Sequence, residues 1–168
     1  ALYPEFTDAL AGRLADAKIA FWEMALRELG DVVDIAMEAD DYGTQESMLI
    51  SPDMYRRLLK PLQKRLFDTI RAKLADGFIF FHSCGNVDSV VDMLMDLGVD
   101  ILNPLQVTAN DLDDLRRRTH GRMALQGGVS SATGMAGPPE AIADEVHRRM
   151  LQLGADGGYF CGWDQGMP

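Results

Sequence analysis

The junctions between apolar helices and the short strands that follow them constrain this chain most. A periodic apolar segment ends at a glycine and passes directly into the next strand-like segment at Leu97-Gly98-Val99-Asp100 and at Leu153-Gly154-Ala155-Asp156. Looser forms of the same junction occur at Leu29-Gly30-Asp31 and Ala75-Asp76-Gly77. Helix–strand units that recur every roughly 25–45 residues predict parallel strands joined by right-handed helical crossovers.

The hydrophobic periodicity predicts five helices and five strands. The helices are expected over 4–29, 51–76, 86–97, 110–119 and 138–153, and the strands over 32–37, 78–81, 99–102, 122–125 and 157–161. Asn86 and Asn110 are the expected caps of the third and fourth helices. Pro61 is expected to kink or split the second helix near Lys60, because proline removes a backbone donor.

The number of strands limits the fold. An eight-stranded (β/α) barrel usually needs about 250 residues, whereas this chain has 168. A doubly wound sheet would fit the length, but no G-x-G-x-x-G follows a predicted strand. We therefore predict an α/β fold, a parallel TIM-type barrel of which residues 1–168, as one domain, form strands four to eight. Such an incomplete barrel exposes sheet edges and is expected to form a homo-oligomer or to pair with a missing N-terminal half.

Composition excludes several classes of partner. The formal net charge of −10 argues against nucleic-acid binding and against an anionic membrane surface. No apolar run approaches the ~20 residues of a membrane span. The two cysteines lie too far apart in sequence to suggest a disulfide framework, so reduced thiols and a cytoplasmic location are expected.

Unusual polar residues gather at one end of the predicted strands. In parallel barrels the functional residues lie at the carboxyl ends of the strands. The candidates at those ends are Asp40 and Asp41, His82 and Cys84, Asn103 and Gln106, Gln126, and Cys161 and Asp164. The loops at the opposite end hold mostly Leu-Gly-x-Asp sequences, and this asymmetry predicts a functional site at the carboxyl edge.

A metal site is one interpretation of the histidine and the cysteines. His82-Ser83-Cys84-Gly85 puts an imidazole and a thiol two residues apart, and Cys161 follows another short apolar run. Two thiolates and an imidazole suit Zn²⁺ and leave a fourth position for chemistry. The alternative is that the cysteines are inert packing residues, and that the carboxamides only satisfy backbone groups at the strand ends.

The sequence resembles the uroporphyrinogen decarboxylase family, in its broad sense, from about Asp34 to Pro168. The motifs that carry the resemblance are Asp40-Asp41-Tyr42-Gly43-Thr44-Gln45, Ile50-Ser51-Pro52 with Tyr55 and Lys60-Pro61, Phe81-His82-Ser83-Cys84-Gly85-Asn86, the segment from Val99 to Gln106, Gln126-Gly127-Gly128-Val129 and Gly157-Gly158-Tyr159. The family implies a (β/α) barrel of roughly twice this length.

The resemblance implies two branches of chemistry. Decarboxylases of the family remove carboxylates from a tetrapyrrole without a metal. Methyltransferases of the family bind Zn²⁺ through His-x-Cys and a distant cysteine, which implies His82, Cys84 and Cys161 here. In that branch the third ligand usually stands a few residues later, where this chain has Asp164-Gln165. Either the register shifts, or Asp164 supplies an oxygen ligand, or zinc is not bound.

Three hypotheses follow from the sequence. The first is zinc-dependent methyl transfer between a corrinoid, carried by a partner protein, and a small-molecule thiol or methoxylated substrate. Asp41 or Asp164 would then orient a ligand or relay a proton, and the substrate would contact Asn103, Gln106 and Gln126. The second is metal-free decarboxylation of uroporphyrinogen or a related acid, with Asp41 near the reacting pyrrole nitrogens. The third is an inactive fragment or a binding module.

Overall fold

Five parallel strands form a single sheet in the computed structural model, which describes residues 3–166. The strands are β1 Ile35–Ala39, β2 Phe78–His82, β3 Ile101–Leu105, β4 Ala124–Val129 and β5 Tyr159–Trp163. Their spatial order follows the chain, and every neighbouring pair is parallel. The sheet with its flanking helices is an α/β fold that corresponds to part of a TIM-type barrel, so the predicted fold class is confirmed.

Helices connect the strands. They are α1 Pro4–Leu29, α2 Pro52–Met54, α3 Lys60–Lys73, α4 Val91–Asp96, α5 Leu112–Thr119, α6 Ser131–Ala136 and α7 Pro139–Gly154. The short α6 was not predicted from the sequence, because Ser131–Ala136 carries no apolar stripe. Within residues 3–166, no helix has the length and apolar character that crossing a membrane requires.

The effect of Pro61 takes the form of a π-helical turn. Residues Tyr55–Leu59 form this turn between α2 and α3, and the Lys60 N–H donates to the Tyr55 carbonyl. In a regular helix the ring of Pro61 would collide with the carbonyl of Arg57, four residues earlier. The wider π turn relieves that conflict, so the predicted irregularity near Lys60 is confirmed.

The predicted start of α4 at Asn86 is wrong, because α4 begins at Val91. The Asn86 side chain donates to the Ala109 carbonyl at 2.5 Å instead of capping a helix. Asn110 also serves this loop, since its Oδ1 accepts from the Val87 N–H at 2.9 Å. Both asparagines therefore join the connection after β2 to the connection after β3.

Two other predicted boundaries shift for local reasons. The cap of α5 is Asp111, whose side chain accepts from the N–H groups of Asp113 and Asp114. The first strand begins at Ile35 rather than Val32, because Val32 lies in a turn closed by its N–H and the Leu29 carbonyl, 3.0 Å apart.

The two faces of the sheet differ in exposure. The helix-covered face is buried and consists of Ala36, Ile79, Phe81, Leu102 and Leu125. On the opposite face, which we call the open face, four apolar side chains stay about half exposed. They are Ile35 at 47%, Met37 at 54%, Phe78 at 51% and Phe160 at 51%. In a closed barrel this face would line the interior.

Helix α1 is tied to β1 by a buried carboxylate. Glu38 points into the helix layer, where it accepts from Lys18 at 2.7 Å and from the indole N–H of Trp22. Burial works to lower the pKa of Lys18, but its hydrogen bond to Glu38 and the charges of Asp40 and Glu38 outweigh burial, so the pKa is raised. The ammonium therefore stays charged, and the ion pair fixes the start of the loop that follows β1.

Candidate metal centre

The loops after β1 and β2 bring three candidate ligands together. The ligand atoms of Asp41, His82 and Cys84 all lie within 4.8 Å of one another. His82 Nε2 is 3.4 Å from Cys84 Sγ and 3.7 Å from Asp41 Oδ1. The strands that carry these loops are in register, with Ala39 paired to His82. The alignment of parallel strand ends therefore brings Asp41, rather than the predicted Cys161, beside His82 and Cys84.

Backbone hydrogen bonds hold the two loops against each other. The Cys84 N–H donates to Asp41 Oδ1 at 2.9 Å, and the Tyr42 N–H donates to the buried Ser83 hydroxyl at 3.1 Å. The Gly43 N–H donates to the Cys84 carbonyl at 3.2 Å. Asp41 and Cys84 are thus positioned by the same set of contacts, and neither depends on a flexible side chain alone.

Asn103 orients the imidazole of His82. Its Oδ1 lies 2.6 Å from His82 Nδ1, and His82 and Asn103 are paired in the β2–β3 register. A carboxamide oxygen only accepts hydrogen bonds, so Nδ1 carries the proton. The lone pair of Nε2 is therefore directed toward Cys84 and Asp41, which is the tautomer that a metal-binding histidine needs.

The separations of His82 Nε2 from Cys84 Sγ and from Asp41 Oδ1 are close to those around a tetrahedral zinc ion. Bonds of about 2.0–2.2 Å to nitrogen or oxygen and about 2.3 Å to sulfur put tetrahedral ligand atoms about 3.3–3.6 Å apart. The 3.4 Å between His82 Nε2 and Cys84 Sγ lies inside that range, and the 3.7 Å between His82 Nε2 and Asp41 Oδ1 lies just above it. One nitrogen, one sulfur and one carboxylate oxygen form a donor set that zinc accepts. Asp41, predicted as a catalytic residue, thus lies at the distance of a ligand.

The electrostatics of Cys84 depend on what occupies the site. Burial raises the pKa of the Cys84 thiol, a hydrogen bond from Gln165 opposes that rise, and the nearby charge of Asp41 adds to it. The net shift is upward, so the thiol alone is protonated at neutral pH. A bound cation reverses this preference, because it binds the thiolate and releases the proton.

The structure does not bring Cys161 into this group. Cys161 lies on β5, which β3 and β4 separate from β2. Three strand spacings of about 4.8 Å therefore lie between the strands of His82 and Cys161. Side chains two residues apart share a face of a strand, and Tyr159 packs against Gly154 of α7. Cys161 is thus expected on the helix-covered side.

Two other predicted site residues have supporting contacts in the loops. Gln106 is buried, and its Oε1 accepts from the Gly85 N–H at 2.6 Å and from Gln45 at 2.9 Å. Asp164 is also buried, and its Oδ1 accepts from the Ser131 N–H at 2.8 Å. These contacts support the β2 loop and the start of α6, respectively.

Two glutamines, Gln126 and Gln165, also lie on the side of the sheet that carries the candidate site. Gln126 is half-buried on β4, and its role as a substrate contact stays a prediction. Gln165 was not predicted as a site residue, yet its Nε2 lies 3.4 Å from Cys84 Sγ. The available signal was its position, because the resemblance puts the third zinc ligand of the methyltransferase branch at Asp164-Gln165.

The chain matches one known protein family over its whole length. The sequence profile of the family described as uroporphyrinogen decarboxylase (URO-D) matches residues 1–168. The chain belongs to the uroporphyrinogen decarboxylase family. The match includes α1, which precedes the region from Asp34 where the motifs lie. No curated protein matches the chain.

Solved structures similar to this member of the uroporphyrinogen decarboxylase family are longer than it. A methyltransferase from Methanosarcina mazei has a TM-score of 0.66 and 24% identity, and the match covers 92% of this chain and 43% of that one. A crystal structure of an uncharacterized protein has a TM-score of 0.46 and 14% identity, with coverages of 87% and 37%. The chain thus spans less than half the length of these two structures.

Proposed function

We propose that this chain is the metal-binding part of a zinc-dependent methyltransferase of the uroporphyrinogen decarboxylase family. The enzyme would move a methyl group between a corrinoid, carried by a partner protein, and a thiol or a methoxylated small molecule. The observation that carries the proposal is the convergence of the ligand atoms of Asp41, His82 and Cys84 within 4.8 Å of one another, with His82 oriented by Asn103. The Methanosarcina mazei methyltransferase has a similar fold. The support for zinc chemistry comes from the nitrogen, sulfur and oxygen donors of His82, Cys84 and Asp41.

The ligands have distinct tasks in this proposal. His82 would bind zinc through Nε2, Cys84 through Sγ and Asp41 through a carboxylate oxygen. Bound zinc would act as a Lewis acid that lowers the pKa of a substrate thiol or polarises a methoxy oxygen. Three protein ligands leave one position for the substrate. Asp41 is 59% exposed at its side chain, so a substrate reaches the ligand group from solvent.

The methyl transfer to a thiol balances without an external oxidant or reductant. The thiol loses its proton to water, and the sulfur lone pair of the thiolate forms the new bond to the methyl carbon. The bond from that carbon to its donor breaks, and its electron pair stays on the donor. The loops after β1 and β2 would hold the reacting sulfur at the rim, where Asp41, His82 and Cys84 converge.

Zinc content tests the site directly. Protein purified without added metal or chelator is expected to contain about one zinc per chain, and His82→Ala is expected to lose it. His120→Ala is a matched control, because His120 is exposed at the end of α5 beside Asp156. Wild-type protein without zinc after reconstitution under reducing conditions would contradict the proposal.

A methyl-transfer assay tests the activity. Zinc-loaded protein is expected to form a thioether from methylcobalamin and a thiol above the uncatalysed background, and His82→Ala is expected to lose this excess. Release of carbon dioxide from uroporphyrinogen by metal-free protein would assign the chain to the decarboxylase branch instead.

A further inference from the structure

We infer that Gln165 is a positioning residue of the metal site, which holds the Cys84 sulfur by donating a carboxamide N–H to it. The inference rests on the zinc site proposed above. Gln165 Nε2 lies 3.4 Å from Cys84 Sγ, and that sulfur lies 3.4 Å from His82 Nε2. Both the imidazole of His82 and the carboxamide of Gln165 thus contact the sulfur.

The backbone before Gln165 is anchored by its neighbour. The Asp164 N–H donates to the Val129 carbonyl at 2.8 Å, and Asp164 Oδ1 accepts from the Ser131 N–H at 2.8 Å. Asp164 is only 6% exposed. A buried residue fixed at both backbone and side chain sets the direction of the next residue, so Asp164 directs Gln165 toward the β2 loop.

The charge of the site explains why a neutral donor suits this position. A bound divalent cation is balanced by one carboxylate, from Asp41, and one thiolate, from Cys84. A carboxamide N–H strengthens its hydrogen bond when the acceptor sulfur is negative, and it adds no further charge. A cysteine at this position would add a third negative charge and reduce the electrophilicity of the cation. Gln165 therefore stabilises the thiolate and leaves the cation a stronger Lewis acid.

Cobalt substitution makes this role visible. Metal-free chain is titrated with Co²⁺, whose near-ultraviolet absorbance reports sulfur-to-cobalt charge transfer, and Zn²⁺ affinity is measured by competition. Gln165→Leu is expected to move the band to longer wavelength, because the sulfur lone pairs lose a stabilising N–H. It is also expected to lower the affinity about tenfold, at the lower end of what supporting residues contribute. Gln165→Cys is expected to raise the band intensity about twofold, because a second thiolate joins the cation.

Two variants serve as matched controls. Gln152→Leu makes the same chemical change on α7, where Gln152 donates to Asp113. It is expected to leave the charge-transfer band and the affinities for Co²⁺ and Zn²⁺ unchanged. Cys161→Ser is expected to do the same. Circular dichroism of every variant checks that the fold is retained.

The outcomes separate the inference from the proposed function. A wild-type chain that binds neither Co²⁺ nor Zn²⁺ overturns the proposed zinc site and the inference with it. A wild-type chain that binds metal, together with a Gln165→Leu variant of unchanged band position and affinity, overturns the inference alone. Loss of half the charge-transfer intensity in Cys161→Ser would make Cys161 the second sulfur and also overturn it.

Discussion

At the scale of single residues, the proposed metal site depends on a side chain that would not contact the metal itself. Asn103 holds the proton-bearing Nδ1 of His82 at 2.6 Å. Asn103→Leu removes that acceptor, so the ring is free to rotate and to change tautomer. Zinc affinity is expected to fall about 10–100-fold, as for other partners of metal-binding histidines. Competition with a chromophoric chelator measures the change.

The control for Asn103 is a carboxamide on the next strand. Gln126 is half-buried on β4, and Gln126→Leu changes the same functional group without removing the partner of His82. Its zinc affinity is expected to match wild type. Equal losses in the two variants would mean that the site responds to the polarity of the whole face and not to the orientation of His82.

Gln106 supports the β2 loop through the backbone. Its Oε1 accepts from the buried Gly85 N–H at 2.6 Å, so Gln106→Leu leaves a buried donor without a partner. The free energy of unfolding is expected to fall by about 1–3 kcal/mol, as measured by urea denaturation. Gln45→Leu is the control, because it removes the exposed residue bound to Gln106 and leaves the Gly85 contact intact. A loss in Gln45→Leu as large as in Gln106→Leu would contradict this assignment.

At the scale of elements, the β1 and β2 loops pack too closely for any side chain at Gly85. Gly85 has φ +81, and a Cβ there would lie 2.3 Å from the Gly43 carbonyl carbon. Gly85→Ala would strain the backbone at residue 85. Its Cβ would also collide with the backbone of Gly43, which cannot move away because the loops are held by β1 and β2. The substitution is expected to cost more than about 3 kcal/mol of stability and to abolish zinc binding.

Gly98 is the control position, because an alanine there would have a strained backbone but no steric collision. It has φ +85, but a Cβ there meets nothing within 4 Å. Gly98→Ala is therefore expected to cost only the conformational strain, about 1–2 kcal/mol, and to retain zinc. Similar unfolding midpoints for the Gly85→Ala and Gly98→Ala variants would contradict the close packing of the two loops.

The strands and helices were easier to predict from the sequence than the contacts between the loops. Strands, helices and the Pro61 irregularity depend on periodicity and local sterics, which neighbouring residues encode. The predicted caps Asn86 and Asn110 were wrong, because their side chains bond to backbone in other loops. Capping residues and loop-bridging residues share the same chemistry, so sequence alone does not separate them.

The sequence predicted that His82, Cys84 and Asp41 lie at one edge of the sheet, but it grouped His82 and Cys84 with Cys161 as the metal ligands. Asp41, His82 and Cys84 follow adjacent parallel strands, so their convergence follows from topology. The contact of Gln165 with Cys84 depends on the path of the chain after β5, which Asp164 sets through the contacts it makes with Val129 and Ser131. Such a path is a tertiary property, and no local pattern in the sequence reports it.

At the scale of the whole molecule, the structure presents apolar surface on two sides. The open face carries Ile35, Met37, Phe78 and Phe160. Helix α1 turns Ala15 and Leu26 inward, whereas a stripe of apolar residues at helical spacing stays about half exposed or more. The exposed stripe consists of Phe6, Leu10, Leu14, Phe21 and Met24. Exposed apolar side chains that neighbour one another, as Ile35 and Phe78 do in the β1–β2 register, favour an interaction site over ordinary solvent-facing surface.

We expect the chain on its own to self-associate through the open face. Its strands β1 and β5 each have a single neighbour in the described part of the sheet, and unpaired strand edges add to the attraction. Sedimentation velocity over a range of concentrations is expected to show an apparent mass that rises above that of one chain. The double variant Phe78→Lys and Phe160→Lys is expected to lower that rise, because two ammonium groups cannot be buried without partners.

The matched control puts the same charges elsewhere. Val32 is 76% exposed before β1, and Leu49 is 63% exposed in the loop after it. The double variant Val32→Lys and Leu49→Lys is expected to associate as wild type does, because neither residue lies on a strand of the open face. Equal suppression by both double variants would show that net charge controls association, since each adds two positive charges to an acidic chain. A mass independent of concentration in wild type would contradict self-association and leave the open face to be covered by another part of a longer protein.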